Sequence, residues 1–223
     1  MITRIIQLCL ALSGCLLLTA ANVHAAESRA AVRAEMNKPE IRGSIVYKFY
    51  CQLCHGERGD GVSRAAKNYG QGILRIKPGG KQYYEDIIRL GGEAIGKSEF
   101  MPPWQEELSK EQITDVIAYL SIVTDEVARG RTVFKTNCIL CHGTKGDGQG
   151  RAARMYDPPP ANLTRSDKND MYKKMIITYG GEAMGRSKFM PMWGEQLTEQ
   201  EIEDLVAYLR TILVIPPPSD AKL

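Results

Sequence analysis

The sequence CxxCH occurs twice in this chain, and this repeated frame limits the folds open to it more than any other feature. Residues 51–55 read CQLCH and residues 138–142 read CILCH. The stretches after the two frames also match, first at a spacing of 87 positions and later at a spacing of 89. These stretches are GDG at 59–61 and 146–148, RAA at 64–66 and 151–153, GGEA at 91–94 and 180–183, and FMP at 100–102 and 189–191. The pattern predicts a duplicated domain, with two additional residues near the proline run at 158–160.

Each frame has the residues that attach a haem covalently. Two cysteines separated by two residues lie on one turn of the chain, so each thiol can form a thioether with a different vinyl group of one haem. The adjacent histidine can then bind the iron from one face. We therefore predict two haem c cofactors. The predicted attachment residues are Cys51, Cys54, Cys138 and Cys141, and the predicted proximal iron ligands are His55 and His142.

Two other uses of paired cysteines fit the sequence less well. A zinc ribbon brings its two pairs close together, whereas Cys54 and Cys138 are 84 positions apart. A thioredoxin-like redox pair belongs to a βαβ setting, and strand signals in this sequence are weak. Because both frames have matching flanks, haem attachment is the favoured interpretation.

Methionine is the predicted sixth ligand of each iron. Outside the predicted leader, no histidine or cysteine remains beyond the two frames, and histidine opposite methionine is an established axial ligation of haem iron. Met101 is the one methionine that follows the first frame before the second, and Met190 is its counterpart. Lysine ligation or an open site remains the alternative. Trp104 and Trp193 follow these methionines and are predicted to wall the haem pockets.

Five other methionines compete with Met190 in the second half: Met155, Met171, Met175, Met184 and Met192. None of them has a methionine at the matching position of the first half, and methionine more often fills a core than binds a metal.

The first 25 residues are predicted to be an export signal that is cleaved after Ala25. Arg4 precedes an apolar run from Ile5 to Ala21, and small residues lie before the cleavage position. An uncleaved membrane anchor and lipidation at Cys15 are the alternatives. The predicted location is therefore the periplasm.

Helix signals recur in both halves and predict an all-α fold made of two tandem domains. Hydrophobic residues at helical spacing and S/T-x-x-E/Q capping boxes carry this prediction. The predicted helices run from about Pro39 to Cys51, Tyr83 to Leu90, Glu126 to Cys138 and Met171 to Tyr179, and the last helix of each half begins at Ser109 or Thr198. The predicted boundaries are 1–25 for the signal, 26–38 for an N-terminal extension, 39–124 and 125–215 for the two domains, and 216–223 for a proline-rich tail.

These residues resemble class I cytochrome c in a tandem, two-haem form. The resemblance rests on the CxxCH frames, the Met-Pro loops and the AYL triplets of the final helices at 118–120 and 207–209. It implies a close crossing of the first and last helices at Gly43 and Gly130. It also implies a proline-bearing loop whose carbonyl orients the proximal histidine. Pro158–Pro160 can serve in this way for the second haem, but residues 69–72 of the first half have no proline, so we expect different reduction potentials.

The resemblance implies single-electron transfer rather than catalysis. We expect redox proteins as donors and acceptors, and association with a membrane-bound redox complex. The 29 basic and 26 acidic residues nearly balance, which does not favour nucleic-acid binding. A haem enzyme such as a peroxidase, or a gas sensor, remains the alternative, since either would need an open iron site.

Overall fold

Every regular element in the described part of the chain is a helix, which confirms the predicted all-α fold. The structure is a computed structural model that describes residues 29–69, 75–77 and 79–214. The predicted signal and the proline-rich tail lie outside these residues. Among the described residues, no helix combines the length and the apolar character that crossing a membrane requires.

Three longer helices build the first unit: α1 (Pro39–Tyr50), α2 (Lys81–Leu90) and α3 (Lys110–Leu120). Pro39 suits the first turn of α1, where its missing N–H group has no helical partner to lose. Ser109 and Gln112 form the predicted capping box at the start of α3. The helix ends differ from the predicted ends by one or two residues, which is the usual uncertainty of helix boundaries.

The second unit repeats this order with α4 (Glu126–Asn137), α5 (Asp170–Ala183) and α6 (Glu199–Thr211). Thr198 and Glu201 form the second capping box. The span of α5 includes Gly180, whose φ of 80° interrupts the helix. Gly91, with a φ of 81°, ends α2 in the same way. Both glycines take the left-handed region that other residues avoid.

The first and last helices of each unit cross with their backbones in contact. A Cβ atom on Gly43 would collide with the carbonyl of Asp115 in α3, and one on Gly130 would collide with the carbonyl of Asp204 in α6. Beside these crossings, Arg42 pairs with Asp115 at 2.6 Å and Arg129 pairs with Asp204 at 2.7 Å. The crossing predicted at Gly43 and Gly130 is thus confirmed.

Each unit has its own hydrophobic core around this crossing. Tyr47 lies against Tyr119 with ring centroids 5.2 Å apart, and Phe134 lies against Tyr208 at 5.4 Å. The first core is formed by Val46, Tyr47, Ile88, Leu108, Ile113, Val116, Tyr119 and Val123. The second is formed by Val133, Phe134, Ile139, Ile177, Leu197, Ile202, Leu205, Val206, Tyr208 and Leu209.

The two additional residues of the second half lie after Leu163, so their predicted position near the proline run was wrong. Ile76 donates its N–H to the Gly59 carbonyl, and Leu163 makes the same bond to Gly146, both at 2.7 Å. The spacing is therefore still 87 at Leu163. It reaches 89 at the N-caps of α2 and α5, Gly80 and Asn169. The short 3₁₀ helix Leu163–Arg165 and the loop after it accommodate the insertion.

The two units contact each other through α1, α4 and the start of α6. Lys48 on α1 pairs with Glu201 on α6 at 2.7 Å, and Arg131 on α4 pairs with Glu40 on α1 at 3.4 Å. Glu57, just after the first CxxCH frame, accepts a hydrogen bond from the Thr198 hydroxyl at 2.8 Å. The start of α6 therefore meets both the first helix and the first frame of the other unit.

Candidate haem-binding sites

Both CxxCH frames fold into the same turn at the end of a longer helix. In the first, the short helix Gln52–His55 follows α1, and the N–H groups of Cys54 and His55 both donate to the Cys51 carbonyl. In the second, the short helix Ile139–His142 follows α4 with the same two bonds to the Cys138 carbonyl, at 3.2 and 2.9 Å. Each frame thus brings two thiols and an imidazole onto one turn, as covalent haem attachment requires.

A cavity of about 370 Å³ lies beside the first frame. Its lining includes every residue predicted to hold the first haem: Cys51, Cys54, His55 and Met101. Trp104 also lines it, as predicted. Ile87, Ile88, Val116 and Leu120 give the cavity apolar walls, and Arg75, Lys77 and Lys97 add positive charge. An apolar macrocycle with acidic substituents fits a lining of this chemistry.

The Met-Pro loops are held by matching hydrogen bonds. Gly92 donates to the carbonyl of Met101 at 2.8 Å, and Trp104 donates to the carbonyl of Ile88 at 2.9 Å. In the second unit, Gly181 donates to the carbonyl of Met190, and Trp193 donates to the carbonyl of Ile177, both at 2.9 Å. These bonds tie each Met-Pro loop to the end of the middle helix.

Met190 lies closer to the second core than its competitors do. Met190 and Trp193 are partly buried and pack against the core that Cys138 also contacts. Of the five competitors, Met155, Met171, Met175 and Met192 are exposed, and Met184 is partly buried but does not pack against this core. Met190 and Cys138 therefore pack against the same core, as Met101 and Cys51 do in the first unit.

A backbone carbonyl lies beside the histidine that is predicted to bind the second haem iron. The Nδ1 atom of His142 lies 3.0 Å from the carbonyl oxygen of Ala161, the residue directly after the proline run. A proton on Nδ1 makes this a hydrogen bond and leaves Nε2 as the metal-binding atom. Burial lowers the pKa of His142, which favours the neutral imidazole that a metal ligand needs. The matching carbonyl of the first unit falls at residue 74, outside the described residues.

The surroundings of the cysteines suit thioethers better than thiolates. Burial raises the pKa of Cys51 and of Cys138 to about 12, with a smaller contribution from the second cysteine of each frame. The four cysteines of the two frames, which are those within the described residues, are free rather than joined in disulfides. A thioether is uncharged, so attachment to haem replaces a neutral thiol with another neutral group in an apolar place.

Sequence reasoning missed two side chains that hold the loops after the frames. The Tyr47 hydroxyl donates to the Gly56 carbonyl at 2.6 Å in the first unit. In the second unit, the Lys135 ammonium donates to the Thr144 carbonyl at 2.6 Å. The available signal was the difference between Tyr47 and its counterpart Phe134, which lacks a hydroxyl group, so the second unit holds its loop by a different carbonyl, that of Thr144.

These folds and frames define the class of protein: small helical domains that attach haem through CxxCH and supply a methionine opposite the histidine are typical of c-type cytochromes. Two family models match the chain. The model described as cytochrome c matches residues 127–213, and the model described as cytochrome c oxidase, cbb3-type, subunit III matches residues 40–120.

Individual proteins are similar to parts of this chain. Cytochrome c-555 of Prosthecochloris aestuarii is 34 % identical over 89 residues, which cover 38 % of this chain and 85 % of that protein. The cbb3-type cytochrome c oxidase subunit FixP of Azorhizobium caulinodans is 26 % identical over 191 residues, covering 76 % of this chain. The chain spans 58 % of the length of that subunit. A chain of the Kuenenia stuttgartiensis reducing HAO-like protein complex aligns with 20 % identity over 78 % of this chain and 96 % of its own length, at a TM-score of 0.36.

The chain belongs to the cytochrome c family. It is a c-type cytochrome with two haem c groups, one for each family match.

Proposed function

We propose that this protein is an exported di-haem cytochrome that passes single electrons between redox proteins, with each iron held between a histidine and a methionine. The ligand pairs are His55 with Met101 and His142 with Met190. The observation that carries the proposal is the first cavity, which His55, Met101 and both cysteines of the first frame line together. We further propose that the domains, residues 39–124 and 125–215, arose by duplication, which the repeated backbone hydrogen bonds of the two units support.

Haem iron supplies a one-electron Fe(III)/Fe(II) couple when it is bound. The residues of the chain hold this couple in place and keep substrates away from it. In the holo-protein the cysteines would hold the macrocycle, the histidine and the methionine would bind the iron, and the tryptophans would exclude water from the methionine side. A methionine ligand stabilises the ferrous state relative to a second histidine and raises the potential.

Export to the periplasm is part of the proposal. The basic start, the apolar run and the small residues before Ala25 support a cleaved signal. The cleavage is tested by N-terminal sequencing of the protein from the periplasmic fraction, where a mature chain that starts at Ala26 is expected.

Partnership with a larger redox complex is also part of the proposal. Several relatives are named as subunits of a cbb3-type cytochrome c oxidase, and their alignments cover most of this chain. A terminal oxidase must receive electrons one at a time from a carrier or a carrier-like subunit, and two c-type haems on one chain suit this task.

The ligation is tested by absorption spectra of the holo-protein, oxidised and reduced, with and without CO. We expect two low-spin haems, a methionine–iron charge-transfer band and no response to CO. Met101→Ala and Met190→Ala should each make one haem CO-sensitive and remove part of the charge-transfer band. Met192→Ala is the matched control because Met192 is exposed and lies two residues from Met190.

A wild-type protein whose haem binds CO readily would overturn the proposed ligation and favour an enzyme or a gas sensor. Unchanged spectra in Met101→Ala or Met190→Ala would show that another residue is the sixth ligand of that haem.

A further inference from the structure

The chain segment before the first domain packs on the second domain. Residues 29–36 are helical, and Val32 and Met36 of this helix contact the second core, which includes Val133 and Phe134 of α4. This segment therefore crosses from the start of α1 to the outer face of α4.

The same segment holds a buried lysine of the second domain. Lys135 on α4 is only 6 % exposed, and its Nζ atom lies 3.2 Å from a carboxylate oxygen of Glu35. The other carboxylate oxygen of Glu35 accepts a hydrogen bond from the Lys38 ammonium at 2.8 Å. Lys135 donates at 2.6 Å to the carbonyl of Thr144, two residues after His142. A continuous chain of polar contacts thus joins the leading segment to the loop that follows the second haem-attachment frame.

The first domain anchors its equivalent loop differently. Tyr47 bonds the Gly56 carbonyl directly, whereas Phe134, its counterpart on α4, has no hydroxyl group. Lys48, the counterpart of Lys135, instead pairs with Glu201 of the other domain. No described segment covers the outer face of α1 as residues 29–36 cover α4, and Ile45 and Phe49 there are 44 % and 77 % exposed.

We propose that residues 29–38 form part of the second haem site, where Glu35 is a positioning residue that keeps Lys135 on the Thr144 carbonyl. The proposal rests on the proposed function, because it assumes that His142 binds the second haem. Lys135 replaces the hydroxyl anchor that Tyr47 supplies in the first domain. A buried ammonium needs an anionic partner to remain charged in place, and Glu35 is that partner.

The anchored loop is closely tied to the proximal histidine. Gly148 donates to the His142 carbonyl at 2.9 Å, and Gly150 donates to the Cys141 carbonyl at 3.2 Å. If the Lys135 bond is lost, these bonds open more often and the position of His142 varies more. The proposal therefore predicts changes in the second haem that leave the first haem unaffected.

The test uses Glu35→Gln in the full holo-protein, with Arg33→Gln as the matched control because Arg33 lies on the exposed side of the same helix. The readout is hydrogen exchange by mass spectrometry in residues 143–150, with the equivalent residues 56–63 as an internal reference. Loss of one charge-assisted hydrogen bond should speed exchange in 143–150 by roughly tenfold. Residues 56–63 and the Arg33→Gln variant should be unchanged.

A rescue experiment separates positioning from general stability. Lys135→Met should give the same faster exchange and shift the reduction potential of the second haem. The additional change Phe134→Tyr should restore both the exchange rate and the potential, because Phe134 is the counterpart of Tyr47 and its ring points at the same loop. The ring tip lies 3.7 Å from the point where a Cβ atom on Gly146 would be. A hydroxyl group there supplies the anchor that Tyr47 supplies in the first domain.

Unchanged exchange in residues 143–150 of Glu35→Gln and Lys135→Met would overturn the proposal. An equal increase in residues 56–63 would also overturn it, since the effect would then be global. The haem content and the CO response are measured on the same samples. A wild-type protein without attached haem would contradict the proposed function instead, so the two failures are distinguishable.

Discussion

The two helix crossings contain the same arginine–aspartate pair in different surroundings. Arg129 and Asp204 are each about 4 % exposed, whereas the side chain of Arg42 is 35 % exposed beside its buried partner Asp115. Arg129 also donates to the Val123 carbonyl at 2.8 Å, in the connection between the domains. A buried charge without its partner is far more costly than one that water can reach.

We therefore predict that Arg129→Leu destabilises the second domain by roughly 3–5 kcal/mol, because Asp204 keeps a buried charge with no cation beside it. Arg42→Leu should cost the first domain less, because Arg42 is the exposed cover of Asp115 and the shorter leucine lets water reach that carboxylate. The measurement is urea-dependent hydrogen exchange of α6 and of α3, which reports each domain separately. Equal losses of unfolding free energy in the two variants would contradict the argument that burial sets the cost.

The charge of Glu35 gives the leading segment a dependence on pH. Partial burial acts to raise the pKa of Glu35, but hydrogen bonds and charges from Lys38 and Lys135 outweigh it, and the pKa lies below its ordinary value of 4.5. A carboxylate with a lowered pKa stabilises the folded state above its unfolded pKa, and this contribution is lost as the pH falls through the folded pKa.

The expected outcome is that wild type and Glu35→Gln differ at neutral pH and become alike in acid. The difference in hydrogen exchange of residues 143–150 should be complete above about pH 5 and should disappear below the ordinary carboxylate range. Comparison of the two proteins at each pH cancels the intrinsic dependence of exchange on pH. A difference that persists undiminished in strong acid would contradict the role of the Glu35 charge.

Local sequence signals led to the proposed haem-binding residues but not to the residues that support them. The CxxCH frame by itself indicates haem attachment, and Met101 was predicted as a ligand because few other candidate ligands were left. Lys135 carries no such signal, since a lysine on a helix is usually solvated, and only the packing of residues 29–36 buries it. Its partner Glu35 lies 100 positions earlier, beyond the reach of any local pattern.

At the scale of helices, the glycines at the crossings should tolerate no side chain. Gly43→Ala and Gly130→Ala would each place a methyl group against a backbone carbonyl of the facing helix, and a backbone cannot move aside as a flexible side chain can. We expect a loss of about 3 kcal/mol or more for each variant, at or above the upper end of ordinary overpacking.

Thermal unfolding of the holo-protein measures this loss, and Gly80→Ala is the control because a Cβ atom at Gly80 meets nothing within 4 Å. Normal stability of Gly43→Ala would show that α1 and α3 can separate without cost.

Helix starts that carry a local capping signal were predicted correctly. The position of the insertion, which depends on the spacing between the two halves, was not. The capping boxes at Ser109 and Thr198 fixed the starts of α3 and α6. The two-residue insertion was misplaced because a proline run is a common site of insertion, whereas the Leu163 hydrogen bond to Gly146 shows that the loop keeps its register through the prolines. Backbone pairing across a loop cannot be seen in the sequence.

At the scale of the whole molecule, the relative placement of the domains depends on few side chains. Lys48 with Glu201 and Glu57 with Thr198 join the first domain to the start of α6, close to the first CxxCH frame. Sequence reasoning could not name these contacts, because the partners are more than 140 positions apart and the same residue types occur all over the surface.

We predict that loss of the Lys48 pair loosens the domains without unfolding either of them. Lys48→Met removes a pair at 2.7 Å between domains, and Lys174→Met removes a pair with Glu203 at 2.6 Å within the second domain. The two lysine side chains are 37 % and 38 % exposed, so the variants are closely matched, and each should cost only about 0.5 kcal/mol. NMR relaxation should show more independent tumbling of the domains in Lys48→Met, and more again when Glu57→Ala is added. Lys174→Met should tumble as wild type does. If both lysine variants behave alike, the domains are held together by α1 and α4 packing rather than by these polar contacts.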